Sequence, residues 1–143
     1  MPEKQLQDKV IIVTGGTGVL GYDFNKALAA AGAVVGILGR NKTVAEQRAK
    51  EINDNGGRAI ALAADVLKEY ELVAAKEKII TTFGKIDGLV NAAGGNIPEA
   101  VVPPASGVFE LNIDALRKVM DLNLFGTLLP TQIFGPAIAA NAT

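Results

Sequence analysis

The chemistry that this sequence advertises first is carried by residues with almost no side chain. The stretch Val10-Ile11-Ile12-Val13-Thr14-Gly15-Gly16-Thr17-Gly18-Val19-Leu20-Gly21 passes from an apolar, β-rich run into a helical pattern through a run of glycines. Glycine in such a turn permits positive φ, its missing Cβ lets backbone approach a ligand, and the helix start offers free N–H groups and a positive dipole end. Those properties suit the pyrophosphate of a dinucleotide, and the strand-loop-helix setting is what that fingerprint requires. No Gly-Lys-Ser or Gly-Lys-Thr follows, so the loop is not of the nucleoside-triphosphatase kind. A glycine-rich turn that holds nothing is the plainer alternative.

Further positions line up with it. A site that prefers NAD usually places a carboxylate about twenty residues on, at the end of the second strand, to accept from the ribose 2′-OH. Here that end reads Leu38-Gly39-Arg40-Asn41-Lys42, with no acid. Arg40, with Asn41 beside it, is therefore a candidate for gripping a 2′-phosphate, which favours NADP and leaves NAD second; Arg40 and Lys42 solvating a helix start is the competing reading. Asp65 follows the third apolar run, where its carboxylate could accept from the adenine amino group, and Asn91-Ala92-Ala93-Gly94 closes the fourth beside the same crevice. An Asp after a strand is more often a cap or turn residue, and an Asn-Ala-Ala-Gly turn is more often only structural.

The remaining menu is short. The 143 residues include no cysteine and no histidine, which excludes disulfides, thiolate catalysis, Ser-His-Asp chemistry and sites of thiolate- or His-ligated metal, and no metal is expected. Carboxylates, Lys, Tyr, Ser and Thr are left for any acid–base work. A net charge of -1 gives no basic field for nucleic acid or an anionic membrane, so small molecules are the favoured partners. Met1 to Val10 lacks the apolar core of a signal peptide, and the longest weakly polar run, Ala27 to Gly39, is too short to cross a bilayer; the chain reads as soluble and cytoplasmic.

These groups need elements to hold them. Apolar runs at Val10 to Val13, Val34 to Leu38, Ala59 to Ala63 and Gly88 to Val90 alternate with longer stretches of helical spacing, which predicts βαβ crossovers, a parallel sheet and one α/β domain. Leu20, Phe24, Ala27, Leu28 and Ala31 form one stripe of the first helix, expected to face the sheet, and Gly32 ends it. A helix about Lys42 to Asn55 stops at Gly56-Gly57, and another, about Lys68 to Phe83, buries Leu72, Ala75, Ile79 and Phe83. Asn96 to Glu110, with three prolines, reads as a long functional loop. The last helix starts near Ile113 with Asn112 as N-cap, turns Leu116, Val119, Met120, Asn123 and Thr127 inward, and should kink or end at Pro130 and Pro136.

In order and spacing, Thr14 to Gly21, Asp65-Val66, Asn91 to Gly94 and Asn123-Leu124-Phe125-Gly126 resemble the short-chain dehydrogenase/reductase family across essentially the whole chain. Leu89 to Val102 looks most like the mannonate (fructuronate) oxidoreductase branch. The resemblance implies a Rossmann-like parallel sheet with helices on both faces, strand order 3-2-1-4, and hydride transfer between nicotinamide and a carbonyl or hydroxyl substrate, sugar acids included. It implies that Gly15, Thr17, Gly18, Val19 and Leu20, in the motif that Gly21 closes, surround the pyrophosphate. It also implies Asp65 and Val66 at the adenine, and Asn91, Ala93 and Gly94 near the nicotinamide ribose. Asn123 would be the helix-borne catalytic residue, holding a water in the proton relay, although a structural Asn would leave the same trace.

Two departures qualify the resemblance. The common spacing Thr-Gly-x-x-x-Gly-x-Gly would put glycine where Val19 stands, whereas this chain has Gly18, as in the extended branch. The family's Ser and Tyr-x-x-x-Lys follow a fifth strand, and the sequence ends before them, so the chain is expected to be the cofactor-binding half, binding better than it reacts. Ser106, its one serine, reads as a loop residue, and Tyr22-Asp23-Phe24-Asn25-Lys26 has the Tyr-x-x-x-Lys spacing by chance, on the helix beneath the pyrophosphate. A non-catalytic nucleotide-binding or regulatory protein, and a fragment that binds nothing, are the other readings. An unpaired fourth strand and an uncovered face on the Leu116 helix predict a homo-oligomer, which a monomer in concentrated solution by light scattering would contradict.

Overall fold

Short β-branched and aliphatic runs, each ended by a glycine or polar turn, supply the strands. The computed structural model describes residues 4–141 and contains β1 (Val10–Thr14), β2 (Val34–Gly39), β3 (Arg58–Ala63) and β4 (Gly88–Asn91). All pair in parallel in the order β3-β2-β1-β4, with Val10 opposite Val34, Val34 opposite Arg58, and Ile11 opposite Gly88. The crossovers are α1 (Val19–Ala30), α2 (Lys42–Asp54) and α3 (Glu69–Phe83). Beyond β4 come two short 3-10 turns, Pro98–Ala100 and Gly107–Glu110, then α4 (Ile113–Met120), a π-helical turn (Asp121–Phe125) and α5 (Gly126–Ala140). The Rossmann-like sheet expected from the sequence is present.

Alternation along β1 divides the core in two. Val10 and Ile12 join Leu38, Leu62, Leu72, Ile79 and Phe134 on the side of α3 and α5, while Ile11 and Val13 join Val35, Ile37, Ala45 and Ile52 on the side of α1 and α2. Successive side chains leave a strand on opposite faces, so a strand covered on both reads as an unbroken apolar run. Truncating Ile12 or Ile37, both fully buried, to alanine would cost about 2–5 kcal/mol.

The first helix corrects its own apolar pattern. Leu20 and Phe24 are 68% and 41% exposed and Ala27 is exposed, while Gly21, Asn25 and Ala29 are the buried line. A close approach overrides the stripe: a Cβ on Gly21 would lie 2.8 Å from both the Gly15 carbonyl carbon and Gly16 Cα. Only glycine lets the helix start seat on the loop, and that contact rotates the helix by about 100° from the orientation its large residues favour.

Two further corrections concern the C-terminal helices. The inward line there is Ala115, Leu122, Gly126, Pro130 and Phe134, whereas Met120 and Asn123, expected to face inward, are exposed. Ala115, buried ahead of the π-helical turn, already sets this line one residue away from the stripe drawn through Leu116. The helix also does not end at Pro130 or Pro136, which both lie inside α5. Pro130 and Phe134 are buried, so packing stands in where proline removes a hydrogen bond, and Pro136 lies near the helix end.

Candidate dinucleotide-binding site

Because β2 and β4 flank β1 on opposite sides, the chain changes direction across the sheet at the carboxyl end of β1, the place where open α/β sheets leave a crevice. A cavity of about 350 Å³ opens there. Its walls come from the glycine loop (Gly15, Thr17, Gly18), the end of β2 (Gly39, Arg40), the segment after β3 (Asp65, Val66) and the turn after β4 (Ala93, Gly94). Four separate parts of the sequence thus meet as expected.

The loop is built to leave donors free. Gly15 turns at φ +63°, Gly16 N–H donates to Leu38 O at 3.0 Å, and Gly18 N–H donates to Gly15 O at 2.9 Å. No side chain caps α1 and no acid stands in its first turn, so among the described residues nothing accepts from the N–H groups of Thr17, Val19, Leu20 and Gly21. Val19 and Leu20 present exposed apolar side chains at this junction, and Gly21 sits beneath the loop. Unsatisfied N–H groups at a helix start attract an anion through both hydrogen bonding and the dipole.

Thr17 packs against the last residue of β2. A Cβ on Gly39 would lie 2.6 Å from Thr17 Cγ2, so a side chain at Gly39 would displace Thr17. Arg40 is exposed at the crevice wall. Asn41 is placed otherwise: its Oδ1 accepts from Val44 N–H at 3.1 Å, making it the N-cap of α2, and it does not line the crevice.

The segment after β3 is held by its own hydrogen bonds. Asp65 Oδ1 accepts from Leu67 N–H at 2.9 Å, and Asp65 N–H donates to Glu71 Oε2 at 2.7 Å. That N–H, with help from Tyr70 and Lys68, lowers the pKa of the Glu71 carboxyl from its ordinary value despite the opposing effect of desolvation. Val66 is buried against Gly126.

The turn after β4 hangs on Thr14. Its hydroxyl, fully buried, accepts from Ala92 N–H and Ala93 N–H at 3.2 Å each and donates to Val90 O at 3.5 Å. Asn91 reaches away from the crevice, its Nδ2 donating to Thr131 Oγ1 at 3.2 Å. Asn123 pairs with one backbone unit in both directions: Nδ2 donates to Gly95 O and Gly95 N–H donates to Oδ1, each at 2.8 Å. It is tied to the irregular segment that follows β4 rather than being packed in the core.

Sequence reasoning missed Lys118 and Leu122, which complete the crevice from α4 and the π-helical turn. Their spacing of four was the available signal, masked because the inward face was drawn through Asn123. Tyr22 and Lys26 border another cavity, about 330 Å³ between α1 and α2, which shares no lining residue with the crevice. Tyr22 Oη donates to Glu51 Oε2 at 2.8 Å, and that carboxylate pushes the phenol pKa up, opposite to what a proton-transferring tyrosine needs.

Comparison with known proteins agrees with this geometry. Residues 9–142 match the family model for short chain dehydrogenase. An uncharacterized oxidoreductase of Haemophilus influenzae is 39% identical over 139 residues, covering 90% of this chain and 49% of its own length. The chain spans about half the length of the curated relatives it matches. A solved structure from Haemophilus influenza, provisionally named D-mannonate oxidoreductase and holding bound NAD, gives a TM-score of 0.85 at 36% identity, covering 93% of this chain and 51% of its own. A 7 alpha-hydroxysteroid dehydrogenase complexed with NADH and 7-oxo glycochenodeoxycholic acid gives 0.83 at 31% identity, covering 97% and 51%. No helix among the described residues is long and apolar enough to cross a membrane.

Proposed function

The chain belongs to the short-chain dehydrogenase family, and from that premise we propose that its crevice binds a nicotinamide dinucleotide for hydride transfer to or from the carbonyl or hydroxyl carbon of a small substrate. The observation that carries this reading is the row of N–H groups at Thr17, Val19, Leu20 and Gly21 that no protein atom among the described residues satisfies. A pyrophosphate supplies the missing acceptors and meets the positive end of α1. Asp65, with Oδ1 fixed by Leu67, keeps its other oxygen for the adenine amino group, and Val66 packs beside it. Ala93 and Gly94 border the nicotinamide half, and Asn123 acts next to them while holding Gly95. When bound, the nicotinamide supplies the hydride; the residues named here bind it and orient it.

Arg40, together with the absence of an acid at the end of β2, supports NADP as the preferred cofactor and NAD as the second. The likeness to D-mannonate oxidoreductase supports a keto or hydroxy sugar acid as substrate. The test is binding of a ketone panel (keto sugar acids, an oxo steroid, diacetyl) to the chain loaded with NADPH, followed by the change in nicotinamide fluorescence. Tighter binding of the sugar acids than of the others is expected, and tighter binding of the steroid or diacetyl would overturn the substrate assignment. Exposed apolar side chains at Ile113, Phe125 and Leu128 support self-association through α4 and α5.

A further inference from the structure

Behind the glycine loop, on α2, one guanidinium holds two of the loop's carbonyls. Arg48 Nη1 donates to Gly16 O at 2.8 Å and to Gly18 O at 2.7 Å. Its guanidinium carbon lies 4.7 Å from the centre of the Tyr22 ring, and Tyr22 is anchored in turn to Glu51, one turn further along α2. Asn25, fully buried, donates from Nδ2 to the same Gly16 O at 2.9 Å, and its Oδ1 is left without a partner. Arg48 forms no ion pair among the described residues and does not line the crevice.

The consequence follows from peptide geometry. In a planar trans peptide the C=O and the next N–H point in opposite directions. Arg48 draws the Gly16 carbonyl toward α2 and adds a second donor to the Gly18 carbonyl, which Tyr22 N–H already engages at 3.1 Å; the N–H groups of Thr17 and Val19 are thereby fixed the other way, and both are among the donors without an acceptor. A cation on each carbonyl also polarises the peptide and makes its N–H a stronger donor. No carboxylate among the described residues forms an ion pair with the guanidinium, and Glu51, one turn further along α2, is engaged by Tyr22, so positive charge stays on the loop carbonyls.

We propose that Arg48 is a positioning residue for the cofactor pyrophosphate: through Gly16 and Gly18 it aims the N–H groups of Thr17 and Val19 and adds positive potential where the anion binds. The inference rests on the reading that the crevice takes a dinucleotide. Nothing in the sequence pattern marks it, since Arg48 sits on a charged covering helix among other charged residues.

The test titrates the isotopically labelled chain with ADP and with adenosine by amide NMR, for the wild type, Arg48→Met and Arg48→Lys, with the thermal midpoint of each. Methionine still packs on Tyr22 but offers no donor. Arg48→Met is expected to weaken ADP about tenfold and to shrink the ADP-induced shifts of the Thr17 and Val19 amides, with adenosine affinity within about twofold of wild type. Arg48→Lys, whose single ammonium keeps the charge, is expected to retain an intermediate ADP affinity, and it carries the test if the methionine variant unfolds. Equal loss of ADP and adenosine would reduce Arg48 to a tie between α1 and α2 and overturn the proposal, as would unchanged ADP binding in both variants. A wild-type chain that binds neither compound overturns the dinucleotide reading itself, and this inference with it.

Discussion

Thr17 occupies the space that a side chain at Gly39 would need: a Cβ there would come within 2.6 Å of Thr17 Cγ2. The loop and the end of β2 therefore share one small volume, and Arg40 is the charged side chain that the end of β2 presents to the crevice. Replacing Arg40 by alanine is expected to weaken NADPH by roughly tenfold, the value of one charge-assisted bond to phosphate, and to leave NADH within about twofold. Competitive fluorescence titration measures both, and an equal loss for the two cofactors would remove Arg40 from the 2′-phosphate. Gly39→Asp alone should weaken both cofactors, since Thr17 must be displaced first; paired with Thr17→Gly, it should reverse the preference toward NADH.

The outer edge of the sheet is stitched by side chains. Asn53 pairs with Ala59 as a neighbouring strand would, Nδ2 donating to Ala59 O at 3.0 Å and Ala59 N–H donating to Oδ1 at 2.8 Å, and Lys78 Nζ donates to Ala61 O at 2.9 Å. Unpaired strand edges recruit other chains, and these bonds close much of β3. Asn53→Ala is expected to cost about 1 kcal/mol, seen as a lower thermal midpoint, and to increase light scattering on storage. A variant as stable and as monodisperse as the parent would show that the pairing contributes nothing.

Acid should loosen the start of β1 before other parts of the sheet. Burial raises the pKa of Asp87, but Val10 N–H, donating to its Oδ2 at 2.8 Å, and Lys85 more than offset this and hold it below the ordinary 3.8. The folded state then binds this proton less tightly than the unfolded chain does. Its stabilising contribution is complete above the unfolded pKa, declines as pH falls below about 4, and is gone below the folded value. Denaturant midpoints measured from neutral pH down to about 3 should fall more steeply for the wild type than for Asp87→Asn. Parallel curves would remove Asp87 as the source.

Much of this was legible in the sequence because the signals are local. Strands buried on both faces announce themselves as runs such as Val10–Thr14, and Asn112 caps its helix as a short polar residue at such a position does, whereas Asn41, expected beside the cofactor, caps α2 instead. What was hidden depends on contacts between distant segments. Gly21 against Gly15 turned α1 away from its large apolar residues, and the burial of Ala115 and of Gly126, which lies against Val66, put Leu122 rather than Asn123 on the inward side. Arg48 was invisible for the same reason: its partners, Gly16 and Gly18, lie on the far side of a strand in the sequence.

The central claim is that the free N–H groups between Thr17 and Gly21 hold the pyrophosphate of a nicotinamide dinucleotide. Calorimetric titration of the chain with NADPH and with NADH tests it most directly. One site per chain is predicted, with dissociation constants of about 1–100 μM, NADPH the tighter, and ADP competing with both. No heat and no competition with either cofactor at about millimolar concentration would contradict it.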